Sequence, residues 1–460
     1  MDRKPNILFI MTDQHHAGAL SCAGHPAVRT PNIDRIAASG VRFSKAFCPS
    51  PVCGPSRASL FSGLYSSATG ATENPGVFKR EVDLLPALFR DSSYHTALVG
   101  KLHLGPHGVD FGFTENHIHD AGYDTYHPEE PRDSEYVAWL AERKFGGDRN
   151  EVIRRFNEDE ECFEADKFRF IMGSNWRTEE EHCNTWVTNR TLDVIRSQVS
   201  GESAPPFFLF CSYFGPHQPM LAPEPWGSLY NPDEIELPAE FAVGLDDKPI
   251  ASAKLDGSPF RKNPLSEKQY RQALAAYYGQ ISMIDHGIGE ILDELDRSGL
   301  TENTVIVFTS DHGDHCAQFG LFFKCTMYQG AVAVPLIVAD PLMKKSAGSE
   351  CRQVVNSMDL YATLLERAGI AVPKKTHSRS LSGLLRNPQD PGWPNRTFSE
   401  LGNLKMVADG HWKLIRSRNP AGSPSYELYD LDSPVADSEN LWERTIPSQD
   451  EKNWLLSLLG

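Results

Sequence analysis

Short apolar runs, spaced along the chain and divided by amphipathic stretches, set the limits on what this sequence can fold into. They fall at 6–11, 96–99, 207–213, 304–309 and 334–338. Each has strand length and is too short for a buried helix. Helical spacing appears between them. The clearest case runs from about 267 to 297, where Leu274, Tyr277, Tyr278, Ile281, Ile284, Ile288, Ile291, Leu292 and Leu295 recur a turn apart. Ser266 and Gln269 form a capping box at its start, and Gly299 marks its end. A second helix is expected over 359–368. Such alternation predicts an α/β fold with a large mixed, mostly parallel sheet sandwiched by helices. Pro335 puts the last run at a sheet edge, or marks where that strand begins.

Two segments break the rhythm. Residues 114–180 are polar, with the acidic run 158–161 reading as a solvated face, and 220–265 are proline-rich and read as a surface excursion. Excursions of this kind often wall a cleft. Beyond about residue 370, a connector over 372–397 leads into 405–415, where Asp409-Gly410 reads as a tight hairpin turn. Residues 426–431 supply another strand, and a short helix closes the chain. The expected division is an α/β domain over 1–370 and a small C-terminal antiparallel-sheet subdomain over 371–460.

With 45 Lys and Arg against 61 Asp and Glu, the net charge is −16. That argues against a broad grip on nucleic acid or on an anionic membrane, yet leaves room for a few cations in one cleft. No run approaches the ~20 apolar residues of a membrane span, and the first run is too short for a signal-peptide core. The 9 cysteines are scattered, odd in number and without CxxC spacing. They fit reduced thiols in a cytoplasmic protein better than a disulfide framework or a zinc site. In that compartment the sequons at Asn189 and Asn395 carry no meaning. No sequence signal bears on oligomeric state.

Two strands end alike, in Thr12-Asp13-Gln14 and Ser310-Asp311-His312-Gly313. Carboxyl ends of strands form the ligand edge of an open α/β sheet, so Asp13 and Asp311 can meet there. Two carboxylates in one small volume repel unless a cation holds them, and oxygen ligands with one imidazole suit Ca²⁺, Mg²⁺ or Mn²⁺. Alternatively, each Asp merely caps the helix after its strand. Cys53-Gly54-Pro55-Ser56-Arg57 precedes helix-like sequence, placing Cys53 at the positive end of a helix with Arg57 a turn on. An ordinary buried cysteine ahead of a helix is the competing reading. Lys101 and His103 follow one strand, His217 another, and Lys324 and Tyr328 come soon after Asp311. So many strand ends delivering charge to one edge are hard to explain structurally.

In these residues the chain resembles the type I sulfatases of the alkaline phosphatase superfamily, over nearly its whole length. Cys53-Gly54-Pro55-Ser56-Arg57 matches the C-x-P-S-R signature, and Pro31-Asn32-Ile33-Asp34-Arg35-Ile36-Ala37 is similar to a second family segment. Gly100-Lys101-Leu102-His103-Leu104-Gly105 looks like G-K-W-H-L-G with Leu for Trp, and Asp311-His312-Gly313 and Glu427-Leu428-Tyr429-Asp430-Leu431 also fit.

The resemblance implies a sulfuric ester hydrolase acting on a sulfate monoester of a carbohydrate or small organic alcohol. It implies that a maturation enzyme oxidises Cys53 to formylglycine (3-oxoalanine). Its hydrated aldehyde attacks sulfur with one hydroxyl and expels sulfate through the other, a route closed to a plain thiol. It further implies one divalent metal, Ca²⁺ by family likeness with Mg²⁺ or Mn²⁺ as alternatives, held by Asp13, Gln14, Cys53, Asp311 and His312. Arg57, Lys101 and Lys324 then offset charge on the diol and sulfate oxygens. His103 accepts the second hydroxyl's proton, His217 is the acid at the leaving oxygen, and Asn74 sits where relatives contact sulfate. Many sulfatases have paired aspartates where this chain has Asp13-Gln14, and Asn where it has His312. The Gln pairing also resembles phosphonate monoester hydrolases and choline sulfatases. A phosphonate monoester or phosphodiester hydrolase, and a silent sulfate-ester binder with an unconverted Cys53, are therefore the alternatives. His15, His16 and His315 flank the motifs and either line the pocket or are incidental.

Overall fold

The computed structural model describes residues 4–106, 109–120, 134–160, 166–174, 176–198, 204–249, 265–418, 422–444 and 447–459. At its centre is an 8-stranded sheet. In chain order its strands are β1 (Asn6–Asp13), β2 (Val41–Phe43), β3 (His95–Gly100), β4 (Glu115–Ile118), β5 (Phe207–Pro216), β6 (Thr304–Ser310), β7 (Leu336–Ala339) and β8 (Ser349–Cys351). Across the sheet they lie in the order β8-β2-β7-β6-β1-β5-β3-β4. Pairings are parallel except the two made by β7, against β2 and β6.

β1 is buried throughout because both faces of the sheet are covered. Ile7, Phe9 and Met11 point into one core and Leu8 and Ile10 into the other, as the two-residue period of a strand requires. Over the second face lie α1 (Pro31–Ser39), α3 (Cys183–Gln198) and α4 (Glu267–Arg297). Over the first lie α2 (Cys53–Ser62) and α5 (Leu360–Arg367). The capping box of Ser266 and Gln269 is present at the start of α4. Buried Asp285 on α4 accepts from the backbone N–H groups of Asn32 and Ile33, so it satisfies the first turn of α1. Asp34 accepts from Ser21 Oγ and Cys22 N, which makes this family segment a structural joint.

The last apolar run begins as a strand directly after Pro335, and β7 sits inside the sheet rather than at its edge. With no N–H, Pro335 can stand only before the ladder starts. β2, β4 and β8 are too short for a periodicity to announce them. The helix expected over 359–368 is α5, but β8 intervenes between it and β7. Within the polar region 114–180, Glu135–Phe145 and Arg149–Glu160 are helical, and Tyr136, Val137, Leu140 and Ala141 pack into the second core. Glu161 and residues 250–264 lie outside the described residues.

The C-terminal strands β9 (Thr397–Leu401), β10 (Leu404–Ala408), β11 (Trp412–Arg418) and β12 (Pro424–Asp430) form a 4-stranded antiparallel sheet. Asp409 shapes the hairpin between β10 and β11 by accepting from His411 N and Trp412 N. Met406, Ala408, Ile415 and Tyr429 join the first core, while Val407, Leu414 and Leu428 pack under α6 (Gln449–Leu459). Tyr328 and Tyr429 both donate to the buried carboxylate of Glu427, locking this sheet to the rest of the chain.

Phe210 on β5 meets Phe9, Phe61 and Phe113 with ring centroids 5.2, 5.0 and 6.4 Å away, so it supports α2 directly. Phe210→Ala is expected to cost about 3–5 kcal/mol of unfolding free energy in a denaturant titration. A loss below about 1 kcal/mol would refute this packing.

Candidate active site

Strand ends create the site. Asp13 ends β1 and Asp311 follows β6, its parallel neighbour, so the two carboxylates emerge side by side at the carboxyl edge of the sheet. Lys101 follows β3 and His217 follows β5 at the same edge. α2 enters against them. Its residues Cys53 to Ser62 are all buried, and Gly63 closes it at φ 66, a left-handed conformation natural to glycine. No side chain caps Val52, and Asn74 Oδ1 instead accepts from Gly54 N at 2.8 Å. Gly54 is needed there because a Cβ would lie 2.5 Å from Gly76 N.

Arg57 is fully buried and spends its donors on the protein. Its Nε reaches Asp311 Oδ2 at 2.8 Å and its Nη2 lies 3.4 Å from Asp13 Oδ2. Its Nη1 donates to the Lys101 carbonyl at 2.7 Å and to Ser212 Oγ at 2.9 Å. Lys101 Nζ contacts Asp13 Oδ2 at 2.6 Å. Burial alone pushes the Asp13 carboxyl up. Lys101, His217, Lys324 and His312 overcome that and hold it well below the usual range.

Cys53 Sγ lies at the centre of the remaining contacts. It is 3.1 Å from His312 Nε2, 3.1 Å from Lys324 Nζ and 3.7 Å from Asp13 Oδ1. Burial and Asp13 raise the thiol's pKa, yet Lys101, Lys324 and His312 outweigh them and the net shift is downward. His312 Nδ1 faces the Gly313 carbonyl at 2.9 Å, which puts its proton there and aims Nε2 at the cluster. Asp13, Cys53, Asp311 and His312 each offer a ligand atom, all within 4.8 Å of one another.

Gln14 adds a fifth donor. Its backbone is left-handed (φ 64), held by Tyr277 Oη donating to its carbonyl at 2.7 Å and by its own N–H on Asp311 Oδ1 at 3.2 Å. Its Oε1 is buried and has no hydrogen-bond partner among the described residues. An orphaned carbonyl oxygen next to Asp13, with two carboxylates and an imidazole nitrogen, is a donor set that fits a hard divalent cation.

The structure thus gathers Asp13, Cys53, Arg57, Lys101, Asp311, His312 and Lys324 into one contact network. His217 and His103 stand around it. Burial first, then Lys324 and Lys101, depress the His217 imidazole well below its usual pKa. Burial first, then Lys101, do the same to His103. His217 Nδ1 faces the Gln218 carbonyl at 2.8 Å, and the His103 backbone N–H donates to Asp120. The flanking histidines are hydrogen-bonded within the scaffold, and His16 and His315 also line a cavity with His25, Tyr278 and Gln318. His15 contacts Thr12 and the Ala19 carbonyl, His16 Nδ1 accepts from Gly18 N, and His315 contacts Gln318 and Thr326.

Several contributors were not singled out from the sequence. Ser56 Oγ donates to the Asp311 carbonyl at 2.5 Å. Asp314 and Gln218 hold the Gln14 carboxamide, and Asp120 orders the Lys101–His103 turn. Of these, Ser56 stands inside the Cys53–Arg57 signature and Asp314 directly follows Asp311-His312-Gly313.

A sulfatase family model matches residues 5–370, and a model of the N-sulphoglucosamine sulphohydrolase C-terminal region matches 317–451. An arylsulfatase of Clostridium perfringens is 30% identical over 83% of this chain and 78% of its own length. An N-acetylglucosamine-6-O-sulfatase of Bacteroides thetaiotaomicron is 29% identical over 99% of this chain and 86% of its own. In fold, a phosphonate monoester hydrolase of Agrobacterium radiobacter superposes with a TM-score of 0.78 at 21% identity, covering 99% of this chain and 95% of that one. With a family model covering most of the chain and a Cys, Asp and His cluster at the matching strand ends, the chain belongs to the sulfatase family of sulfuric ester hydrolases.

Proposed function

We propose that the protein hydrolyses a sulfate monoester of a carbohydrate or small alcohol, with Cys53 converted to formylglycine and a divalent ion, Ca²⁺ by family likeness, beside it. The observation that carries this reading is Cys53 Sγ, buried at the first turn of α2, within 3.7 Å of Asp13, His312 and Lys324 together. Residues 1–370 would form the catalytic unit, with 371–460 packed against it. Free cysteines among the described residues support a reducing compartment such as the cytoplasm.

The ion would be held by Asp13, Gln14, Asp311, His312 and the converted residue 53, and bound there it supplies Lewis acidity to an oxygen ligand. The converted side chain supplies a hydroxyl nucleophile with a second hydroxyl to discharge. The chain's own residues do the rest. Lys101 and Lys324 flank Asp13 and Cys53 and bring fixed positive charge to the place where an anionic ester must approach. Arg57 binds both carboxylates and keeps them from repelling each other. α2 directs its first turn, with the positive end of its dipole, at the same spot.

His217 is suited to the leaving oxygen, and its hydrogen bond defines how. With Nδ1–H on the Gln218 carbonyl, Nε2 is the atom that faces chemistry. Burial first, and then Lys324 and Lys101, lower the pKa of the imidazole, and an incoming anion that offsets the lysine charge would raise it toward proton donation. His103 beside Lys101 is likewise neutral and is suited to accept a proton. Asn74 contributes by ordering the Gly54 turn at the start of α2.

The decisive test is the peptide carrying residue 53, made in a host with the maturation enzyme. Its mass should fall by the thiol-to-aldehyde difference, and chelator treatment should abolish turnover that divalent ion restores. An unchanged cysteine mass in active protein would sink the proposal. Aryl sulfate and phenyl phosphonate compared by kcat/KM would distinguish sulfatase from phosphonate hydrolase. For His217→Ala, turnover of an alkyl sulfate should fall by ~10²–10⁴-fold while a sulfate ester with a good aryl leaving group loses far less. Equal losses on both would remove His217 from the acid role.

A further inference from the structure

Gln14 is a neutral amide where a carboxylate would serve the ion more simply, and a neutral amide has two faces. Oxygen can ligate a cation and NH₂ cannot. The backbone of Gln14 is pinned by Tyr277 and Asp311, so the rotation of its terminal amide decides which atom is presented. Asp314 Oδ2 accepts from Gln14 Nε2 at 2.7 Å, and Gln218 Oε1 accepts from the same nitrogen at 3.0 Å. Asp314 is fully buried and is itself fixed by backbone N–H groups, with Cys316 N on Oδ1 at 2.6 Å and Phe323 N on Oδ2 at 3.0 Å. Turning the amide over would press Gln14 Oε1 against two acceptor oxygens. In the observed state Oε1, on the residue that follows Asp13, is buried without a partner among the described residues.

We propose that Asp314 is a positioning residue that, with Gln218, locks the Gln14 carboxamide with its oxygen toward the divalent ion. This rests on the reading above that the strand-end cluster holds such an ion. Asp314 thereby returns to the site, one layer back, the negative charge that a Gln at position 14 removes from the ligand shell. Through Gln218, whose carbonyl faces His217 Nδ1, the same clamp also joins the ion's side of the site to the leaving-group side.

The test titrates Mn²⁺ into the full-length chain and follows the free ion by its EPR signal, with melting in chelator confirming that each variant is folded. Asp314→Ala should weaken Mn²⁺ binding by about 10–100-fold, as loss of an orienting partner does for other metal ligands. Gln14→Ala should weaken it comparably. In the double variant, removing Asp314 should add less than about threefold to the loss caused by Gln14→Ala, because the two act as one unit. Should Asp314→Ala fail to fold, Asp314→Asn replaces it, since an amide there presents NH₂ to the Gln14 NH₂ or to a backbone N–H. Its loss should likewise vanish in the Gln14→Ala background. Equal losses with and without Gln14, or wild-type affinity in either Asp314 variant, would overturn the proposal. Failure of the wild-type chain to bind Mn²⁺ would instead overturn the metal reading from which the proposal starts.

Discussion

Two buried carboxylates on neighbouring parallel strands are the constraint around which the rest is arranged. Asp13 and Asp311 have essentially no solvent contact, and unpaired charges in that position would cost several kcal/mol each. The chain answers with Arg57 across both, Lys101 on one, Lys324 and His312 nearby, and backbone N–H groups on Asp311 Oδ1. Meeting that need explains why α2 is buried along its whole length: it must carry a guanidinium and a thiol into the interior on adjacent turns.

The same arrangement explains how one site can be both anionic and anion-seeking. The carboxylates are placed where they could offer oxygens to a divalent ion, while Lys101, Lys324 and the first turn of α2 bring positive charge to the same spot. A cluster that seats cations beside its carboxylates can attract a negatively charged ester although the chain as a whole carries −16. Local charge, not the total, governs what enters.

Much of this was legible in the sequence, for a reason rooted in strand geometry. Residues immediately after an apolar run must emerge at one edge of a parallel sheet, so Asp13, Lys101, His217 and Asp311 announced themselves. Cys53 and Arg57 did so through their motif. The residues that stayed hidden act through hydrogen bonds that no periodicity encodes. Asp120 reaches the Leu102 N–H across 18 positions, and Gln218 reaches Gln14 across 204. Short strands such as β2 and β8 were invisible because a few residues cannot establish an alternation. The helices within 114–180 were masked by the charge on their outer faces.

The C-terminal sheet divides its inward and outward faces between two cores, and that has a bearing on how such a chain can change over time. Met406, Ile415 and Tyr429 fill space beneath the first layer of helices, so this piece is a wedge in a joint rather than a bead on a string. Swapping it wholesale for an unrelated module would open a gap in the core cluster that Ala58, Leu60 and Phe61 of α2 also belong to. Diversification is thereby steered toward surface loops, where new sequence can reshape the rim of the cleft without loosening its floor.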